Sequence, residues 1–143
     1  RLGIGIYGLH DQGFKDVLSF SARISKIKTL QRGETVGYGR NFKAPRRMRI
    51  ATLPIGYADG VPRKLGNKNW HFSDGQYEYS IVGAVCMDMC MIDISGNPGL
   101  MEGDELHFFR TNKDILEMAR ILKTIPYEII TGFSDRIRRV LVE

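Results

Sequence analysis

The chain has 143 residues, 43% of them hydrophobic and 26% charged, which is ordinary globular composition and enough length for one domain with a real core. No apolar run approaches the ~20 residues that span a bilayer, and no signal peptide is visible. Net charge is +5, and its densest part, Lys43-Ala44-Pro45-Arg46-Arg47-Met48-Arg49, reads as a solvated loop rather than a nucleic-acid surface, because no aromatic residue is interleaved for base stacking.

Residues 1–9, Arg1-Leu2-Gly3-Ile4-Gly5-Ile6-Tyr7-Gly8-Leu9, are apolar and glycine-rich and predict the end of a buried strand running into a loop. An opening on Arg1 rather than Met fits a piece of something longer. Residues 18–30 predict a long extended segment. Phe20, Ala22 and Ile24 alternate with Ser21, Arg23 and Ser25, and the phase slips between Ile24 and Ile27, the mark of a bulge. In Gln31-Arg32-Gly33-Glu34-Thr35-Val36-Gly37-Tyr38-Gly39-Arg40, a turn leads into a short strand and then a tyrosine between two glycines. Such a tyrosine presents its hydroxyl to a pocket with little steric cover, or else packs on a core as part of a plain turn. Residues 30–36 are echoed at 100–106: an apolar residue, a turn with glycine, an acid, then a strand. Shared turn chemistry in a β-barrel accounts for that better than a true repeat.

Residues 48–53 alternate as a strand that Pro54 closes, and Ile55-Gly56-Tyr57-Ala58-Asp59-Gly60 breaks the pattern. Asp74-Gly75 predicts a hairpin between residues 71–73 and 76–80. Residues 81–94 form a long apolar run with Gly83 and Asp88 inside it, read as a strand buried on both faces or one that turns Asp88 toward a site. Strand spacing would hold Cys86 and Cys90 ~13 Å apart, too far to bridge, so both are expected as free thiols. Thr111-Asn112-Lys113-Asp114 resembles a capping box, and Ile115, Met118, Ala119 and Leu122 share one helical face. Pro126 interrupts the helical pattern after Leu122; residues 127–133 predict a further helical turn and 137–142 a last strand. The fold class predicted is mainly β, a closed barrel or sandwich with one or two short helices.

Site chemistry is sparse. No Ser/His/Asp set, Walker-type loop or acid/base carboxylate pair is present, and His10, His71 and His107 show no metal-ligand spacing. A tyrosine base is unusual, since a free phenol has a pKa of ~10, and it needs cations beside it; Arg40 is near in sequence.

Five segments converge on one resemblance: Arg1-Leu2-Gly3-Ile4-Gly5-Ile6-Tyr7-Gly8, Gly33-Glu34-Thr35-Val36-Gly37-Tyr38-Gly39, Pro54-Ile55-Gly56-Tyr57-Ala58-Asp59-Gly60, Ile81-Val82-Gly83-Ala84-Val85-Cys86-Met87-Asp88 and Pro126-Tyr127-Glu128-Ile129. In that order they resemble the C-terminal domain of bacterial alanine racemase, a fold-type III enzyme dependent on pyridoxal 5'-phosphate. Residues 125–140 look like versions fused behind a cell-wall amino-acid ligase. The family commonly has proline where Leu2 stands, and residues 62–80 fit it only loosely.

The resemblance implies that residues 1–12 are the tail end of an N-terminal cofactor-binding (β/α)8 barrel and 13–143 a C-terminal β-barrel domain. The Schiff-base lysine would lie upstream, outside this chain. Arg1 would face the pyridine nitrogen, Gly3 and Ile4 would offer backbone N–H groups to the cofactor phosphate, and Tyr127 its hydroxyl. Tyr38 would be the catalytic base that takes the proton from L-alanine, reaching the cofactor of a partner subunit. Tyr57 would line the substrate entry from the partner, with Asp59 shaping its loop and Asp88 in the entry wall; the Met87 N–H would help hold the substrate carboxylate. A cytoplasmic, head-to-tail homodimer interconverting L- and D-alanine for peptidoglycan synthesis is implied. The rivals are a racemase of the same fold acting on another amino acid, such as serine, and a non-catalytic β-barrel that binds nucleic acid through residues 43–49.

Overall fold

In the computed structural model, residues 3–9 and 13–142 are described. The alternating segment at 18–30 becomes two strands, β1 (Phe20–Arg23) and β2 (Lys26–Leu30), with a bend where the phase slips. At the bend the Ile24 N–H donates to Asp104 O at 2.9 Å and the Ser25 N–H to Thr52 O at 2.9 Å. Those two bonds run to different neighbours, so the bend hands the chain from one sheet to another.

Seven further strands complete the set: β3 (Thr35–Val36), β4 (Phe42–Lys43), β5 (Met48–Leu53), β6 (His71–Ser73), β7 (Glu78–Ser80), β8 (Cys90–Asp93) and β9 (Glu105–Phe109). One sheet has the order β1-β9-β6-β7, a second β2-β5-β8, and a third pairs β3 with β4. The first two wrap a common core in barrel-like fashion. They meet through the β1–β2 bend on one side and the Ile81–Ile92 bridge on the other. The ladder is therefore not continuous round the ring. Phe72, Leu53, Leu106, Phe108 and Ile115 are fully buried inside it. Trp70 donates its indole N–H to Phe108 O at 2.9 Å, which satisfies the one polar atom it carries inward.

The echoed turns are built alike. Glu34 accepts the Gln31 N–H at 2.7 Å, and Asp104 accepts the Met101 N–H at 2.8 Å, so in each the acid three residues on closes the turn. A second, smaller apolar cluster of Leu30, Ala44, Met48, Ile50, Val82 and Met91 lies under β3 and β4, with Val36 and Phe42 packed against it.

Helix α1 (Asn112–Leu122) starts where its cap predicts: Asp114 accepts the N–H groups of Arg110 and Thr111 at 2.8 and 2.9 Å. Ile115, Met118 and Ala119 are its buried face. The helical pattern does break after Leu122, and Pro126 opens α2 (Pro126–Thr131), the further helical turn expected over 127–133, at a position where a missing N–H costs nothing.

Three expectations are corrected. Residues Gly3–Tyr7 are a 3-10 turn, not a strand end. Of residues 81–94 only Cys90–Asp93 is a strand, because Gly83 turns with φ +72° and the Cys86 N–H closes a tight turn on Met89 O at 2.9 Å. Cys86 and Cys90 thus flank a turn rather than lie along one strand; both are free, and burial pushes the Cys90 thiol up to about 12. Residues 137–142 form no strand, since no sheet edge pairs with them among the described residues.

Candidate active site

Two ends of the chain meet at Tyr127. The Ile4 N–H donates to the Tyr127 hydroxyl at 3.3 Å, across 123 positions. Ile4 and Leu9 are buried in the main core, and Asn112 of α1 donates to Tyr7 O at 2.8 Å, so the N-terminal segment is strapped down on both sides. Tyr127 sits in the first turn of α2 and remains 48% exposed. At Gly3 a Cβ would lie 2.9 Å from the Tyr127 hydroxyl oxygen. Glycine there keeps open a small cradle of backbone N–H and phenol O–H, the donor set an anion such as a phosphate takes. Arg1, expected against a pyridine nitrogen, lies outside the described residues.

Tyr38 stands on a 3-10 turn, Tyr38–Arg40, between β3 and β4, and is 84% exposed. It stands on a turn but does not pack on the core of its own chain. Gly37 and Gly39 flank it at φ +84° and +73°, a conformation that residues with a Cβ rarely adopt. The hairpin is seated on the 82–89 loop: a Cβ at Gly83 would meet Val36 O at 3.2 Å, and one at Gly37 would meet the Met91 methyl at 3.3 Å. No hydrogen bond joins Tyr38 to Arg40, or to the cradle at Tyr127, among the described residues.

Tyr57 and Met87 are brought together. The Tyr57 N–H donates to Cys86 O and the Ala58 N–H to Met87 O, each at 3.0 Å. A Cβ at Gly56 would collide with Cys86 O and Met87 O, so glycine is what lets the two segments touch. Met87 is 53% and Tyr57 43% exposed, and the Met87 N–H meets no acceptor among the described residues. Beside Tyr57 the Arg63 guanidinium lies 5.9 Å from the ring centre. A groove of about 400 Å³ opens there between Tyr57, Arg63, Lys64, Thr124 and Glu128.

Asp59 is 6% exposed; it accepts the Gly56 N–H at 2.8 Å and pairs with Arg136 at 3.5 Å. Arg136 also donates to Asp88 at 2.7 Å. No sequence motif singles out Arg136. The one signal available was Asp59 itself, an acid inside an apolar turn that needs a partner. In the basic segment 43–49, Arg46 pairs with Asp93 at 3.7 Å, and Arg49 donates to the backbone oxygens of Asn97 and Leu100 at 3.1 and 3.0 Å.

The sequence profile described as the alanine racemase C-terminal domain matches residues 17–141. Alanine racemase 1 of Clostridium acetobutylicum is 37% identical over 155 residues, covering 100% of this chain and 40% of its own length. The alanine racemase of a Nostoc species is 39% identical over 151 residues, covering 98% and 39%. The crystal structure of alanine racemase from Bartonella henselae with covalently bound pyridoxal phosphate superposes at a TM-score of 0.85 with 29% identity, over 93% of this chain and 37% of that one. The biosynthetic enzyme of Pseudomonas aeruginosa gives 0.81 with 31% identity, over 92% and 36%. The chain spans about 40% of the length of such relatives. With the profile covering nearly all of it, this chain belongs to the alanine racemase family and carries its C-terminal domain.

Proposed function

We propose that this chain works as the C-terminal part of an enzyme that interconverts L- and D-alanine with pyridoxal 5'-phosphate. Residues 1–12 would close the cofactor-binding barrel and 13–143 would form the second domain. Pyridoxal phosphate supplies, when bound, an electron-withdrawing ring that acidifies the substrate Cα–H. The residues of this chain do the rest. The N–H groups of Gly3 and Ile4 and the Tyr127 hydroxyl would hold the phosphate. Arg1, which cannot readily give up a proton, would keep the pyridine nitrogen unprotonated. The Met87 N–H would take the substrate carboxylate, and Tyr57 would narrow the entry. The Tyr38 oxygen would take the proton from one face of Cα, while a lysine outside this chain serves the other face. The Tyr38 turn is exposed and, among the described residues, has no bond to its own cradle. A head-to-tail homodimer, in which each Tyr38 completes the partner's site, uses it best. In this reading the reaction runs in the cytoplasm and supplies D-alanine for peptidoglycan.

The observation that carries this reading is the exposed phenol of Tyr38, held on a glycine-flanked turn away from any core. In the complete enzyme, assayed with alanine, serine and lysine, Tyr38→Phe is expected to cut turnover by at least about 100-fold while the bound-cofactor absorption band persists. Near-normal turnover in that variant removes Tyr38 from the role.

A further inference from the structure

We infer that Arg136 is a positioning residue for the substrate carboxylate, because its guanidinium ties the Tyr57–Asp59 turn to the Met87–Asp88 loop and offsets one of their two negative charges. The inference rests on the proposal that the Met87 N–H receives that carboxylate. Arg136 reaches Asp59 with Nε at 3.5 Å and Asp88 with Nη2 at 2.7 Å. Its backbone is brought there by local docking. A Cβ at Gly60 would meet Gly132 O at 2.7 Å, and the Ser134 N–H donates to Asp59 O at 3.4 Å, so the segment after α2 lies directly on the turn. Asp59 is nearly buried and Asp88 follows Met87 in the chain. Without a cation between them, two negative charges would face any carboxylate arriving at the Met87 N–H. Repulsion of that kind weakens binding of an anion before it touches the chemical step, and mobile ions screen it.

The test uses the complete, cofactor-loaded enzyme. Arg136→Gln keeps the length and drops the charge. It is expected to raise KM for alanine about tenfold at about 20 mM salt, with kcat changed by less than about twofold. Raising salt to about 500 mM is expected to recover most of the loss. Arg136→Lys restores much of the affinity, and so does the double variant Arg136→Gln with Asp88→Asn, which removes one of the stranded charges. An unchanged KM overturns the inference. So does a KM rise that neither salt nor Asp88→Asn relieves, because that pattern marks a contact that only holds the fold. A wild-type enzyme that turns over no amino acid sinks the racemase reading itself, and shows in the wild-type assay before any variant is compared.

Discussion

Tyr127 carries two duties on one oxygen. It accepts the Ile4 N–H at 3.3 Å and still has its own proton to give, so it both fixes the N-terminal turn and faces the cradle. Tyr127→Phe in the complete enzyme would remove the hydrogen bond proposed to the cofactor phosphate, and cofactor affinity should then fall by about tenfold or more in an absorbance titration. Affinity equal to wild type would take the hydroxyl out of the cradle. A second phenol sets pH behaviour instead. Tyr79 donates to Asp74 at 2.5 Å and accepts from Asn97 at 2.8 Å. Burial first, then the bond to Asp74, pushes the Tyr79 phenol up to about 12. Burial raises the Asp74 carboxyl, but the Tyr79 hydroxyl and the N–H groups of Tyr77 and Gln76 outweigh it and hold the group below its ordinary value. A raised phenol stabilises the fold fully below its unfolded pKa of ~10 and loses that as pH climbs toward the folded value. A lowered carboxyl stabilises above its unfolded value of ~3.9 and loses that as pH falls through the folded one. The stability gap between wild type and Tyr79→Phe should therefore be flat between about pH 5 and 9 and shrink above about pH 10 in thermal melts. A gap that widens in alkali would contradict the sign.

At the scale of elements, local signals were legible and pairing was not. The cap of α1 could be read because Asp114 and the N–H groups it serves lie within four positions. Asp114→Ala is accordingly expected to cost about 1 kcal/mol in denaturant unfolding. The hairpin at Asp74-Gly75 was visible for the same reason, and the slip of phase after Ile24 marked a real irregularity, though one read as a bulge in a single segment where the chain passes between two sheets. Residues 81–94 and 137–142 were misread as strands because apolar content does not say whether a sheet edge waits for them. At the site, Tyr38, Tyr57, Met87, Gly3, Ile4 and Tyr127 were legible only as family motifs; their spacing alone carried no geometry. Arg136 was invisible, because a contact across 48 positions to Asp88 leaves no local trace. The Gly56 contact is the element-scale weak point. No side chain fits where a Cβ would collide with Cys86 O, so Gly56→Ala must push the Tyr57 turn off the Met87 loop. A loss of about 2 kcal/mol or more in denaturant unfolding is expected, against well under 1 for Gly96→Ala, whose added Cβ meets nothing within 4 Å.

The whole molecule divides into a core that serves this chain and a surface that does not. The barrel-like core, α1 and the docked N-terminal segment bury their apolar residues within the chain. Tyr38, Tyr57, Met87, Met89 and Tyr127 stay exposed, and they include the residues to which the family resemblance gives roles. As proposed, the cradle alone would offer an anion the N–H groups of Gly3 and Ile4 and one hydroxyl, the Ile4 N–H first leaving the Tyr127 oxygen to which it is bonded. Hydrogen bonds to a charged group contribute about 1.5–3 kcal/mol each. Association costs about 4–15 kcal/mol in lost freedom, so three such bonds leave little or nothing over. The 143-residue chain by itself should therefore melt as one cooperative unit, yet show no saturable binding of pyridoxal phosphate below about 1 mM and no racemisation. Circular dichroism and an absorbance titration on the same sample check both halves. A Schiff-base absorption band at micromolar cofactor would mean that this domain holds more of the site than three donors. Failure to melt cooperatively would mean that the exposed tyrosines and methionines belong to a core completed by the rest of the enzyme.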